Sequence, residues 1–166
     1  MQLTIVVNYI CRMKKEEVHV DFENSIAPWL GKTAKVIEYH FQEKFNDANL
    51  DLTKEQMVVL KKLHYDDGLS QNDLAFLTLR NKSSLTRLLS KMEKKGYIIR
   101  QQSNVDKRVN KVFLTQKGRD TFVLVKPVVK EMMAKIEQNI TDSEKKLIIN
   151  MLKRIQSNFG PQVKSL

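Results

Sequence analysis

The chain contains a single cysteine, Cys11, among 166 residues. One thiol excludes an intrachain disulfide framework and a zinc ribbon, and it fits a reducing compartment. No apolar run approaches the ~20 residues that a membrane span requires. Residues 3–10 are apolar but short, with no basic segment before them and no small-residue cleavage site after them, so no signal peptide is expected. Residues 8–10 also lack the small side chains of a lipoprotein signal. His19, His40 and His64 are scattered, with neither an HxxxH spacing nor a neighbouring cysteine, which gives no support for a zinc site. A paired nucleophile and base, a glycine-rich phosphate loop and a metal motif are all missing, which points away from an enzyme and from any cofactor. The expectation is a soluble, cytoplasmic, non-enzymatic protein with no membrane partner.

Acidic residues are scarce in one stretch. Between residues 70 and 118, eleven Lys or Arg face three acids (Asp73, Glu93 and Asp106), so eight of the net +10 charges fall in less than a third of the chain. A basic balance alone does not distinguish nucleic acid from an anionic membrane, but this concentration marks a local basic surface. The remainder is nearly balanced, and a hydrophobic content of 42% is enough for a packed core. The length suits one domain, or two small lobes sharing a core.

Within that stretch, Leu85, Leu88, Leu89 and Met92 recur at the spacing that places side chains on one face of a helix. The opposite face carries Lys82, Ser83, Ser84, Thr86, Arg87, Ser90 and Lys91, mostly small hydroxyls and cations able to approach phosphates and base edges. Taken alone, such a face is equally that of a solvated helix. Asn81 is placed to cap the helix, and Gly96 to end it after Lys94 and Lys95, which suit either the helix dipole or phosphate. Residues 97–100 and 111–115 read as strands of a hairpin whose long tip is the polar run 101–110. Ser70 caps a shorter preceding helix with Leu74, Ala75 and Leu77 facing inward, and residues 78–80 break it from the next. Two helices joined in this way, the second basic on its outer face, form a helix-turn-helix, and the appended hairpin makes it a winged helix.

The flanks are helical. Residues 25–47 carry Ile26, Trp29, Leu30, Val36, Ile37, Phe41 and Phe45 on more than one side, so that helix should bury against two partners, its own core and another subunit. Thr53 with Gln56 reads as a capping box opening a helix with Met57, Leu60 and Leu63 inward, ending near Asp67 and Gly68. After the hairpin a long helix carries Phe122, Val125, Val129, Met132, Met133 and Ile136, with Pro127 expected to kink it or mark a junction. Thr141 and Glu144 form a second capping box before Leu147, Ile148, Met151, Leu152, Ile155 and Phe159. Residues 1–20 lack a clean period and read as a leader, in which Met13 begins a second start-like segment.

With these residues in view, the chain resembles the MarR family of winged-helix transcriptional regulators from about residue 25 to 159. The resemblance rests on four pieces in order: Leu85-Thr86-Arg87-Leu88-Leu89, Met92-Glu93-Lys94-Lys95-Gly96-Tyr97, Asp106-Lys107-Arg108 and Leu114-Thr115-Gln116-Lys117-Gly118. It implies a mainly α fold with a small β-hairpin wing. Residues 49–118 would form a winged helix-turn-helix lobe, and residues 21–48 and 119–166 the N- and C-terminal dimerisation helices. It further implies a homodimer that reads a pseudo-palindromic operator in double-stranded DNA as a repressor, less often an activator, and is released by a small aromatic or anionic effector. The 81–95 helix would enter the major groove, and the wing tip would reach the adjacent minor groove. A guanidinium suits that narrow, electronegative groove, so Arg108 is assigned to insertion. Lys107 and Arg100 join the DNA-facing set, and Asp106 is assigned to orienting the wing or a neighbouring Arg such as Arg87.

Effectors in the family bind between the dimer helices and the winged lobe, which makes Trp29, Tyr39, His40 and Met57 pocket candidates, although with Phe41 they equally suit core or dimer interface. Cys11 has basic neighbours that would lower its pKa. It nonetheless precedes the first helix, where peroxide-sensing relatives carry theirs within it, and it is read as an exposed thiol. The reading from a different class is a winged helix used as a protein-interaction or assembly module for an acidic partner.

Overall fold

The computed structural model describes residues 21–159. The leader and Cys11 lie outside the described residues. Among those described, six helices and three short strands follow in the order α1 (Ile26–Asp47), α2 (Lys54–Tyr65), β1 (Leu69–Ser70), α3 (Gln71–Leu77), α4 (Lys82–Lys94), β2 (Ile98–Gln102), β3 (Asn110–Leu114), α5 (Gln116–Ile136) and α6 (Asp142–Ser157). The architecture is mainly α with a winged helix-turn-helix, as expected.

Two compact units divide within α1, after Val36. In the first, Ile26, Trp29, Leu30 and Val36 are all exposed, and the Trp29 indole N–H donates to the Glu23 carbonyl at 2.8 Å. In the second, α1 contributes Phe41 and Phe45 to the core and half-buries Ile37 against it. Among the described residues α1 is packed toward its own core alone, and the second partner expected for it is another subunit.

The core of the second unit lies between α2, α3, α4, α5 and the sheet. Leu60, Leu63, Leu74, Leu89, Met92, Ile98, Val112 and Val125 are fully inaccessible. The helices start at side-chain caps, of which Thr53, Ser70, Asn81 and Thr141 were legible locally. The Thr53 and Thr141 capping boxes both form, and Ser70, Asn81 and Thr115 accept from backbone N–H groups of the first turns they precede. The helix expected to end near Asp67 stops at Tyr65. The helix carrying Pro127 runs through the proline to Ile136. Its apolar stripe of Phe122, Val125 and Met132 keeps it docked across the missing hydrogen bond.

The sheet is wholly antiparallel in the order β1-β3-β2, with Arg100 opposite Val112 and Gln102 opposite Asn110. The hairpin was expected, but β1 was not. It is only two residues long, and it pairs with β3 because Gly68, at φ +82°, turns the chain and donates to the Val112 carbonyl at 3.0 Å. Beside it, Asp67 accepts from the Leu114 N–H at 2.9 Å and pairs with Arg119 at 2.6 Å.

The hairpin root and the start of α5 are fastened to each other. Gly96, at φ +72°, ends α4 with Tyr97 N–H donating back to Met92 at 3.0 Å, the αL stop that glycine provides without a Cβ penalty. Thr115 donates its hydroxyl to the Gly96 carbonyl at 2.6 Å and its backbone N–H to the Tyr97 carbonyl at 3.1 Å. Lys117 places its ammonium on the Lys95 carbonyl at 2.8 Å and 5.2 Å from the centre of the Tyr97 ring. Gly118 lies against Tyr97 so closely that a Cβ there would overlap its carbonyl oxygen. The Lys95-Gly96-Tyr97 and Thr115-to-Gly118 segments are two sides of one joint.

Candidate nucleic-acid interface

Helix α4 buries Leu85, Leu89 and Met92, which turns Lys82, Ser83, Thr86, Arg87 and Lys91 outward. Asn81 fixes its start by accepting from the Ser84 N–H at 2.8 Å. Ser84 and Ser90 lie at the two edges of this face, half-buried, with their hydroxyls already engaged. The Ser84 oxygen accepts from Arg80 at 2.9 Å, and the Ser90 oxygen from Arg100 at 3.3 Å. The exposed part of the face is thus basic at Lys82, Arg87 and Lys91 and hydroxylic at Ser83 and Thr86.

The wing tip is built by two side chains. Ser103, buried at the end of β2, accepts from the Val105 and Asp106 N–H groups, while its own N–H donates to the Val109 carbonyl at 2.8 Å. Asp106 accepts from the Arg108 backbone N–H at 2.9 Å. Its carboxylate therefore orients the wing and does not pair with Arg87. Asp106, Lys107 and Arg108 are all exposed. Ser103 was missed in the sequence because a lone serine in a polar run carries no periodic signal.

Arg100 is tied inward. Its Nε and Nη2 donate to one Glu93 oxygen at 3.0 and 2.5 Å, and its backbone N–H to the other at 3.1 Å. The Arg100 hydrogen bonds hold the Glu93 carboxyl below the usual carboxylate range against the opposing effect of burial. The pair braces β2 on α4. Lys95 is likewise engaged, with Asp51 at 2.7 Å, and Tyr97 donates its hydroxyl to the Asp51 carbonyl at 2.9 Å. Lys94 is exposed.

A cleft of about 670 Å³ opens between the first turn of α2 and the outer face of α4, lined by Glu55, Arg80, Ser84, Arg87 and Lys91 among others. Arg80 and Glu55 escaped the sequence reading. Arg80 fell in the inter-helix break, and its i,i+4 relation to Ser84 was the one local signal of a role.

Of the effector-pocket candidates, Met57 is buried in the core of the second unit, where Tyr39 and His40 are exposed; Trp29, in the first unit, is exposed as well. His40 Nδ1 lies 2.9 Å from Glu43, and the same carboxylate raises the Tyr39 phenol above its ordinary pKa by hydrogen bonding. Among the described residues, no group of three His, Cys, Asp or Glu converges on a metal site, and no helix is long and apolar enough to cross a membrane.

Comparison with known proteins gives a consistent picture. The family model described as MarR family matches residues 52–109, which spans α2 to the wing tip. The HTH-type transcriptional regulator SarZ of Staphylococcus aureus is 32% identical over 112 residues, covering 66% of this chain and 73% of SarZ. Among solved structures, the S. aureus MepR–DNA complex superposes with a TM-score of 0.78 at 23% identity, over 83% of this chain and all of the MepR chain. A structure of Bordetella bronchiseptica BpsR, described as showing regulation of its DNA binding by 6-hydroxynicotinic acid, gives a TM-score of 0.76 at 19% identity over 84% of this chain and 98% of BpsR.

Proposed function

Because the chain belongs to the MarR family and is a winged-helix transcriptional regulator, we propose that it works as a homodimeric repressor that reads a pseudo-palindromic operator and is released by a small molecule. The observation that carries this reading is the single outward face formed by Lys82, Ser83, Thr86, Arg87 and Lys91 on a rigidly docked α4, with Lys107 and Arg108 at a turn that Ser103 and Asp106 hold in shape. In this reading α4 enters the major groove. Its cations neutralise phosphates while its small hydroxyls approach base edges. Arg108 enters the flanking minor groove, where A·T pairs present acceptors only. Ser84, Ser90 and Arg100 support this surface from its edges. Residues 49–118 are the reading lobe, and residues 21–48 and 119–166 supply the dimer contacts.

MepR was crystallised on DNA, and the DNA binding of BpsR is regulated by 6-hydroxynicotinic acid; both support the same class of target and effector here. An effector that binds more tightly to a dimer whose α4 helices are wrongly spaced lowers operator affinity by that preference. Half-sites one helical turn apart, ~34–36 Å, are the expected spacing.

The test is selection of duplexes from a random library, followed by gel-shift titration at several salt concentrations. Salt-sensitive binding to an enriched inverted repeat is expected. Arg108→Ala should weaken it and relax the A·T preference beside each half-site. Absence of salt-sensitive duplex binding would overturn the reading in favour of a protein-interaction module.

A further inference from the structure

We propose that Arg80 is a DNA-backbone contact aimed by Glu55 and Ser84, which makes Glu55 a positioning residue for recognition; this rests on the DNA-reading role proposed above. The observation behind it is a misplaced charge. Glu55 is the one acid lining the cleft beside α4, among Arg80, Arg87 and Lys91. A carboxylate facing the approach of a polyanion costs affinity by direct repulsion, so its place there calls for an offsetting role.

The geometry supplies one. Arg80 donates from Nη1 to Ser84 at 2.9 Å, while its Nη2 stands 3.9 Å from Glu55 Oε1. Glu55 is itself fixed, since its other oxygen accepts from the Thr53 hydroxyl at 2.8 Å and Thr53 is the cap of α2. Partial burial raises the Glu55 carboxyl, while the hydrogen bond from Thr53 and the charge of Arg80 oppose it and hold the carboxyl below the usual range.

Arg100, on the opposite edge of α4, shows what a committed arginine looks like. It too reaches a serine of α4 and a glutamate, but its glutamate contacts are at 2.5 and 3.0 Å. Arg80 is oriented by the same type of pair without being closed by it. A guanidinium offers five donors in a planar fork, and Ser84 takes one. At about 30% exposure its head is neither buried nor adrift. A phosphate arriving at the edge of α4 therefore meets an arginine that is already aligned, which lowers the ordering cost of that contact.

The test uses the full-length chain and two duplexes, one enriched by selection and one scrambled. Arg80→Ala should reduce the slope of log K against log salt by ~0.9 per half-site. Arg80→Lys should restore that slope while leaving affinity for the enriched duplex several-fold lower, because an ammonium cannot hold Ser84 and Glu55 in one fork. Glu55→Gln also removes a repulsive charge, so its effect is read as a double-mutant difference: it should be several-fold less favourable to operator affinity when Arg80 is present than in the Arg80→Ala background. Thermal melts of each variant separate loss of fold from loss of contact. An unchanged slope in a folded Arg80→Ala variant, or an identical Glu55→Gln effect in both backgrounds, overturns the proposal. Failure of the unsubstituted chain to bind either duplex instead overturns the function proposed for the lobe.

Discussion

At the scale of single residues, polar groups in the reading lobe divide into those already engaged by the protein and those turned outward. Arg100, Lys95, Ser84 and Ser90 are engaged; Lys82, Arg87, Lys91 and Arg108 face out. Sequence alone did not make this division, because the partners lie across elements: Glu93 is seven residues from Arg100, and Asp51 is forty-four from Lys95. Gly118 carries the most exacting constraint. Replacing it with alanine would drive a methyl into the Tyr97 carbonyl, with the carbonyl carbon also at 3.0 Å. Backbone cannot swing aside as a flexible side chain can, so Gly118→Ala should cost on the order of 1–3 kcal/mol. A urea titration of the variant checks this, and an unshifted midpoint would show that the joint yields without strain.

At the scale of elements, the parts that could be read directly were those encoded by neighbours. Asn81, Ser70, Thr53 and Thr141 cap the turns that follow them, and Leu85, Leu89 and Met92 give α4 its buried face. What escaped detection depends on distance. Strand β1 exists because β3 offers it an edge, and the wing tip is shaped by a buried serine. The brace between α4 and β2 also has a pH signature. Arg100 depresses the Glu93 carboxyl in the folded state, so its stabilisation is fully present above the unfolded value of ~4.3 and is lost as pH falls through the lower folded value. The melting temperature of the native chain should therefore fall more steeply below about pH 4 than that of Glu93→Gln. Parallel curves would remove the pair from the account of hairpin docking.

At the scale of the whole molecule, exposed apolar surface is the dominant unexplained quantity. Helix α6 buries none of its residues, and Leu147, Ile148 and Met151 are open, as are Trp29 and Leu30 at the other end of the sequence. A second copy of the chain covering these faces is the partner proposed above, since patches of this kind are rare on stable monomers. Sedimentation equilibrium at micromolar concentration should report a dimer. Leu147→Lys combined with Met151→Lys, on one stripe of α6, should shift it to monomer while α2 to β3 remain folded by circular dichroism. A native chain that sediments as a monomer would remove the two-fold arrangement.

The joint at Gly96, Tyr97, Thr115 and Lys117 has a mechanical consequence. Four contacts hold the base of the hairpin to the first turn of α5, and α5 then runs unbroken for its full length. A lever with no slack at its short end transmits rotation instead of absorbing it. Rotation of the first turns of α5 is therefore carried to the hairpin root, while Pro127, which leaves one backbone hydrogen bond of the helix unmade, is the point at which movement of the far half is absorbed.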